Sequence, residues 1–499
     1  MTDDDAPRPL PRPRTDADAS VSGRRLRLLT ARTTAAHSPR SPEPLTDVLF
    51  AAISCLLTVG LVSAVVRGLR QAVSPGADGT WGAGLLQGLG LVALVLAGAS
   101  LALRLGPVVT TTAQLTWWFP TPVERRGLLA TPAWRALAIG IVGGAAGAAG
   151  VAAVVGASTG PLVATGALGA AGGLLVVAGA GLIQGTGSAP RATLALDIAL
   201  AALPVVAAML GTLGGHDEAW SPTFVVTWAL GALGVVGACL WAGRIGRLGV
   251  PELRRTAAAT TRAWSSLLSM DARGLASAVE LTPGRARRRR SRRLRVVRGP
   301  ASALVTADAA LLLAGPAPLA RLVGIAGLAV VAEHTGALGR GAGLYAVLAL
   351  TGYAAAHVAA AGARVADERP ALERLLPMGA RAARGVKAVV PAVSAVVALA
   401  VAAAREPGLL PTALVAGLAL GAAAVRAAYR KPPNWSAPLL ASPAGGIPAG
   451  YVAHVLTGPD CALLGTLPLL GAAATGPTPA WLGAQVVVAL GALWWATRP

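Results

Sequence analysis

Hydrophobic and polar positions fall in long blocks along this chain rather than in short periods. Continuous apolar runs of about 20 residues recur, the length that carries a helix across a bilayer core of about 30 Å. Barrel strands would alternate apolar and polar residues, and these blocks do not alternate. The pattern predicts an all-α polytopic membrane protein of about twelve transmembrane helices. The first six spans are expected near 47–66, 84–103, 136–157, 162–182, 195–214 and 223–242. The second six fall near 313–333, 343–362, 388–404, 409–427, 446–469 and 480–496. Two of them carry interruptions: Pro316, Pro318, Glu333 and His334 in span seven, and Gly458, Pro459 and Asp460 in span eleven.

The polar blocks divide the chain. Residues 1–46, rich in Pro, Asp, Arg, Ser and Thr, lack the apolar core of a cleaved signal peptide and read as a mostly disordered cytoplasmic tail. Arg24, Arg25 and Arg27 in that tail can lie near anionic headgroups. A basic cytoplasmic linker, 243–312, separates a first six-helix half, 47–242, from a second, 313–499. Its run RARRRRSRRLRVVR, Arg285 to Arg298, reads as a solvated segment touching anionic lipid. Nucleic acid is not expected there, since no aromatic residues interleave with the arginines and no binding fold surrounds them. Upstream, RAWSSLLSMDARGLASAVE at 262–280 has the spacing of an amphipathic interfacial helix.

Composition agrees with a membrane protein. The 499 residues are 54% hydrophobic and only 13% charged, with mean hydropathy +0.62; a soluble domain carries about 25% charged residues. The net charge of +21 is unevenly placed. With the N-terminus inside, the even connections and adjoining span ends carry 30 Lys and Arg residues and the odd ones four. That asymmetry places both termini in the cytoplasm of a multi-pass inner-membrane protein. Arginine outnumbers lysine 41 to 2, as a GC-rich genome would produce. Cys55, Cys239 and Cys461 form no C-x-x-C pair and read as small packing residues. Small residues four apart, as in GIVGGAAGAAG at 140–150 and GALGAAGG at 166–173, allow close helix approach, by general packing rather than a defined dimer face.

The two halves repeat one feature. After the second span of each comes a basic, proline-containing stretch: FPTPVERRGLLATPAWR at 119–135 and RLLPMGARAARGVKAVVP at 374–391. Pro122 precedes Arg126 by four residues, as Pro377 precedes Arg381. Prolines bend the chain as it leaves the membrane. Trp117, Trp118 and Trp134 suit the headgroup layer, and Arg125, Arg126 and Arg135 stay outside it. This reads as a rigid basic elbow, repeated by parallel duplication, so the halves should be pseudosymmetric. Such an elbow serves either as an interfacial anchor or as a docking surface for a cytoplasmic partner.

The stretch Thr121-Pro122-Val123-Glu124-Arg125-Arg126-Gly127-Leu128-Leu129 resembles the motif after the second span in permease subunits of ABC-2-like exporters. The overall layout is similar to a group of uncharacterised actinobacterial twelve-span proteins with an Arg-rich central loop. The resemblance implies a separate ABC-type ATPase docked on the elbows, one chain standing in for two six-span permeases. Docking would then fall to Pro122, Arg125 and Arg126 in the first elbow and Pro377, Arg381 and Arg384 in the second. The second departs from the motif, offering Arg381 and Arg384 in place of an Arg-Arg pair.

Catalytic signatures are missing from the sequence. There is no P-loop, no H-E-x-x-H and no G-x-S-x-G, so neither an enzyme nor a bound cofactor or metal is expected. Ionisable groups at membrane depth are functional candidates because burying them is costly. The best are His357 in span eight and His454 in span eleven, a possible intramembrane polar site. Glu333 and Asp197 stand at span ends. Three other readings stand beside the exporter permease: a secondary transporter of major-facilitator layout, a membrane-embedded enzyme, and a non-transporting assembly protein. The first would carry an Asp-Arg loop between spans two and three, which this chain lacks.

Overall fold

A computed structural model describes residues 22–37, 67–68, 83–186, 188–211, 224–268, 297–333, 338–371, 375–442 and 445–498. The expected first span, 47–66, and most of the arginine run at 285–298 lie outside the described residues. Ten helices among those described are long and apolar enough to cross a membrane. The protein is an all-α, multi-pass membrane protein, with one short hairpin besides.

In the first half, α1 (Gly23–His37) is followed by the span helix α2 (Ala83–Leu105) and a short helix, α3 (Thr112–Trp117). Four further spans follow: α4 (Arg125–Val155), α5 (Thr159–Gln184), α6 (Ala189–Gly211) and α7 (Phe224–Arg244). The central segment contributes α8 (Val250–Leu268) and α9 (Pro300–Leu313). The second half continues with α10 (Pro316–Glu333), α11 (Gly341–Ala359), α12 (Ala361–Glu368) and α13 (Ala380–Lys387). After α14 (Val389–Ala402) and α15 (Leu410–Ala428), a hairpin of β1 (Leu439–Ser442) and β2 (Gly445–Pro448) intervenes. Three short helices, α16 (Ala449–Leu456), α17 (Pro459–Gly465) and α18 (Leu467–Thr475), precede the last span, α19 (Pro479–Thr497).

The halves pack alike. In the first, α4 lies on α5, α5 on α7, and α2 on α4 and α5; in the second, α14 lies on α15, α15 on α19, and α11 on α14 and α15. The contact between third and fourth spans uses the same device in both. Gly140 and Gly144 of α4 meet Gly173 and Gly169 of α5, so close that a methyl on any of them would overlap the opposing backbone or a facing side chain. Ala392 and Val396 of α14 meet Gly421 and Gly417 of α15 in the same antiparallel register. The small residues spaced by four are therefore used inside the chain. The halves join where Gly324 and Gly327 of α10 pack on Ala201, Pro204 and Val205 of α6. In the second half α15 is the axis, with apolar small residues all round and Ala413, Ala416, Leu420 and Val425 fully buried.

Two expectations, a continuous span eleven and a tail mostly without structure, need correction. Span eleven is not a continuous helix: β2 occupies 445–448, and the chain then breaks at Gly458 (φ 108°) and Thr466. Broken backbone inside a bilayer must find partners. Gln485 of α19, fully buried, supplies them by donating to the Gly465 carbonyl at 2.6 Å and accepting from Leu469 N–H at 3.1 Å. Span seven is present as α10, Pro316–Glu333, and the residues before it form the separate helix α9. The linker 243–312 holds two helices, α8 and α9; α8 takes in 262–268 of the expected interfacial helix, and 269–280 lie outside the described residues. The tail, expected to be disordered, contains α1, whose Gly23 and Arg27 pack on the start of α4.

Candidate functional site

Both elbows lie at the end of the bundle that carries the arginine-rich connections, here the basic end. Between α2 and α4 the chain turns at Gly106 (φ 74°) and buries Val108. It then enters α3 through a capping box in which Thr111 and Gln114 satisfy each other's backbone N–H groups. Leu115, Phe119 and Leu129 turn inward onto Ile245, Leu248, Leu253 and Ala257 from the turn after α7 and from α8. Thr256 of α8 donates to the Val108 carbonyl at 3.4 Å. The elbow is seated on its own small apolar core, and its outer surface is left for Pro120, Thr121, Pro122 and Arg126, all exposed.

Helix α4 is longer than a bilayer crossing needs. Its 31 residues extend roughly 46 Å at about 1.5 Å per residue, against a hydrocarbon core of about 30 Å. The continuous apolar run begins at Ala136, so Trp134, Arg135 and the Arg125–Pro132 segment precede it in the helix. Trp117 and Trp134 are 74% and 68% exposed, as headgroup-level anchors are.

The arginines of the first elbow differ in surroundings. Arg126 is exposed, whereas Arg125 lies 5.8 Å from the Phe119 ring centre. Arg27 of α1 donates to the Leu128 carbonyl and sits 5.9 Å from the Trp118 ring, pinning the tail helix to the elbow. The second elbow is built otherwise. Pro377 and Arg381 are exposed, but Arg384 turns back, 4.6 Å over Tyr429, and donates to the Arg498 carbonyl after α19. Sequence spacing made Arg381 and Arg384 equivalent; the structure uses one outward and one as a brace.

Beneath the second elbow lies a charge pair that sequence reading missed. Asp308 of α9 and Lys387 of α13, each 5% exposed, stand 3.9 Å apart, and Lys387 also donates to the Gly362 carbonyl at 3.3 Å. Burial raises the Asp308 carboxyl above its ordinary range, and Lys387 pulls it back. A lone Asp inside the apolar run SALVTADAALLLAG, and one of only two lysines in an arginine-rich chain, were the available signals. Two further pairs lie at the basic end. Asp197, starting the fifth span, accepts from Ser100 at 2.8 Å and from Arg104 of α2. Asp460, at the start of α17 in the second half, accepts from Arg426 of α15 at 3.0 Å and from the backbone N–H of Gly458 and Cys461. Arg426 in turn lies 3.9 Å from the ring centre of Trp495.

The two histidines are placed apart from the bundle axis. His357 is exposed in the last turn of α11, its ring 6.1 Å from that of Tyr353. His454 is half-buried in α16, where Nδ1 lies 2.7 Å from the Lys431 carbonyl and must donate the proton. Glu333 ends α10 with both carboxyl oxygens buried and without a hydrogen-bond partner among the described residues. No group of three His, Cys, Asp or Glu side chains gathers as a metal site among those residues.

A groove of about 670 Å³ opens between α1, α3 and α4, lined by Arg27, Thr30, Gln114, Trp117, Trp118 and Arg135 among others. No curated protein and no solved structure matches the chain. Residues 79–438, from just before α2 to the end of the stretch after α15, match a family described as a family of unknown function. That match takes in both elbows and most of the chain, and the protein belongs to this family, DUF6297.

Proposed function

We propose that this protein is the membrane-spanning permease subunit of an ATP-driven exporter, energised by a separate cytoplasmic ABC-type ATPase. The observation that carries the reading is the first elbow. It is set ahead of the apolar run by the first turns of the overlong α4, braced from below by α8 and from the side by α1, and presents Pro122 and Arg126 outward. A mere anchor needs no such standoff, whereas a docking surface must reach a soluble partner. The motif resemblance and the charge split, which puts this end in the cytoplasm, support the same assignment. The elbow's role is mechanical: closure of the ATPase pushes on Pro122, Arg125 and Arg126, and α4 carries the push into the bundle. No catalytic or cofactor role is assigned to the chain itself.

The test is purification from the native host followed by mass spectrometry of copurifying proteins. An ABC-type ATPase should be present in near-stoichiometric amount. Arg126→Glu is the sharpest variant, since Arg125 also packs on Phe119; together with Arg125→Ala it should release the ATPase while membrane insertion is unchanged. Partner-free wild-type protein would overturn the reading.

A secondary transporter is the alternative, favoured by one observation. Asp197 and Asp460 each pair with an arginine of another span, one in each half. Ion pairs across span ends can break and reform as two halves rock.

A further inference from the structure

We propose that the groove between α1, α3 and α4 is a binding site for the headgroup of an anionic phospholipid, with Arg27 and Arg135 as the phosphate ligands. Both arginines line the groove, and among the described residues no carboxylate does. Arg27 spends one guanidinium nitrogen on the Leu128 carbonyl and keeps further donors; Arg135 has no ion pair or hydrogen bond among the described residues. Two guanidinium groups facing one cavity repel each other. Burial first, and the positive field of Arg135 second, push Arg27 below its ordinary value. A phosphate between them would relieve that repulsion and accept charge-assisted hydrogen bonds from both. Thr30, Thr34 and Gln114 line the same space and bring hydroxyl and amide groups to a glycerol or sugar headgroup.

Position identifies the ligand as a lipid rather than a free anion. Trp117 lies on the groove wall and Trp134 beside Arg135, both largely exposed, where the apolar run of α4 begins. From Arg135 the same face of α4 continues into Ile139 and Val142, 72% and 68% exposed. Positions four and seven residues along a helix fall below one another, at depths of about 6 and 10 Å. An acyl chain leaving a phosphate at Arg135 would therefore run down an apolar strip that is left open among the described residues. The site couples the tail to the elbow, because Arg27 belongs to α1 and Arg135 to α4.

Delipidated full-length protein, titrated in neutral detergent with phosphatidylglycerol and read by native mass spectrometry, tests the site. Wild type should take up phosphatidylglycerol in preference to phosphatidylcholine. Arg135→Gln, at an exposed position where folding is not at stake, should weaken the tightest event about tenfold, while Arg191→Gln, exposed and outside the groove, leaves it unchanged. Equal uptake by wild type and Arg135→Gln would overturn the assignment, as would equal uptake of the two lipids. Glycerol 1-phosphate serves as the headgroup alone. Competition by it at the lipid's own concentration would mark a soluble-anion site and overturn the lipid reading; failure to compete supports it.

Discussion

Trp241 closes the first half by packing its indole ring directly on Gly181 of α5, where no larger residue fits. A methyl group at position 181 would overlap the ring, and Trp241, 2% exposed, has nowhere to retreat. Gly181→Ala should therefore cost about 1–3 kcal/mol as an overpacking change. Gly179→Ala, facing open space two residues earlier, should leave the melting temperature of the detergent-solubilised protein within error. Equal behaviour of the two variants would contradict the packing described.

The glycine seam between α4 and α5 makes a parallel forecast. Gly173→Ala pushes a methyl into the Gly140 carbonyl, and Gly172→Ala meets nothing. The first should lower thermal stability by about 1–3 kcal/mol and the second should not. Size-exclusion profiles after graded heating separate the two.

Lys387 and Asp308 supply a pH test. Lys387→Met strands a carboxyl in a buried site, and breaking a buried pair in this way costs about 3–5 kcal/mol. Burial already raises the Asp308 carboxyl, and losing Lys387 removes the influence that lowers it. An acid whose folded value exceeds its unfolded one favours the fold below the unfolded value, about 3.9, and loses that advantage as pH rises through the folded value. The variant should thus melt closest to wild type in acid and fall behind toward neutrality. Adding Asp308→Asn should remove the pH dependence, a comparison made by melting curves at several pH values.

At the second elbow the two arginines should respond differently. Arg384→Ala removes the stacking on Tyr429 and the bond to the Arg498 carbonyl, and should lower stability by about 1 kcal/mol or somewhat more. Arg381→Glu, exposed, should leave melting unchanged and reduce recovery of a copurifying ATPase. Melting and copurification measured on the same preparations distinguish the brace from the contact.

What the sequence disclosed followed from the size of each signal. Long apolar runs such as 162–182 and 409–427 announced α5 and α15, since a bilayer demands about 20 apolar residues whatever the neighbours are. The break in span eleven was foreshadowed by Gly458-Pro459-Asp460, but its repair by Gln485 was not, because that residue lies in another helix and its bonds are tertiary. Helix α9 escaped notice since its 14 residues are too few to cross and Asp308 interrupts them. The ion pair of Arg104 with Asp197 joins residues far apart in the chain, a pairing no local spacing reveals. At the elbows, Pro122, Arg126, Pro377 and Arg381 were legible as an exposed basic bend. The inward turn of Arg384 depends on Tyr429 and on the chain end after α19.

Helices α4 and α5 touch almost backbone to backbone along Gly140, Gly144, Gly169 and Gly173, with only the small side chains of Ala148 and Val177 beside the seam. Two rods in such contact resist bending as one thicker beam, and stiffness rises steeply with thickness. Gly156 and its neighbours, a tight link with φ 87°, tie the far ends together. A force applied at Arg126 would therefore arrive on the opposite side of the membrane as rotation of a rigid pair, with little of it dissipated as curvature on the way.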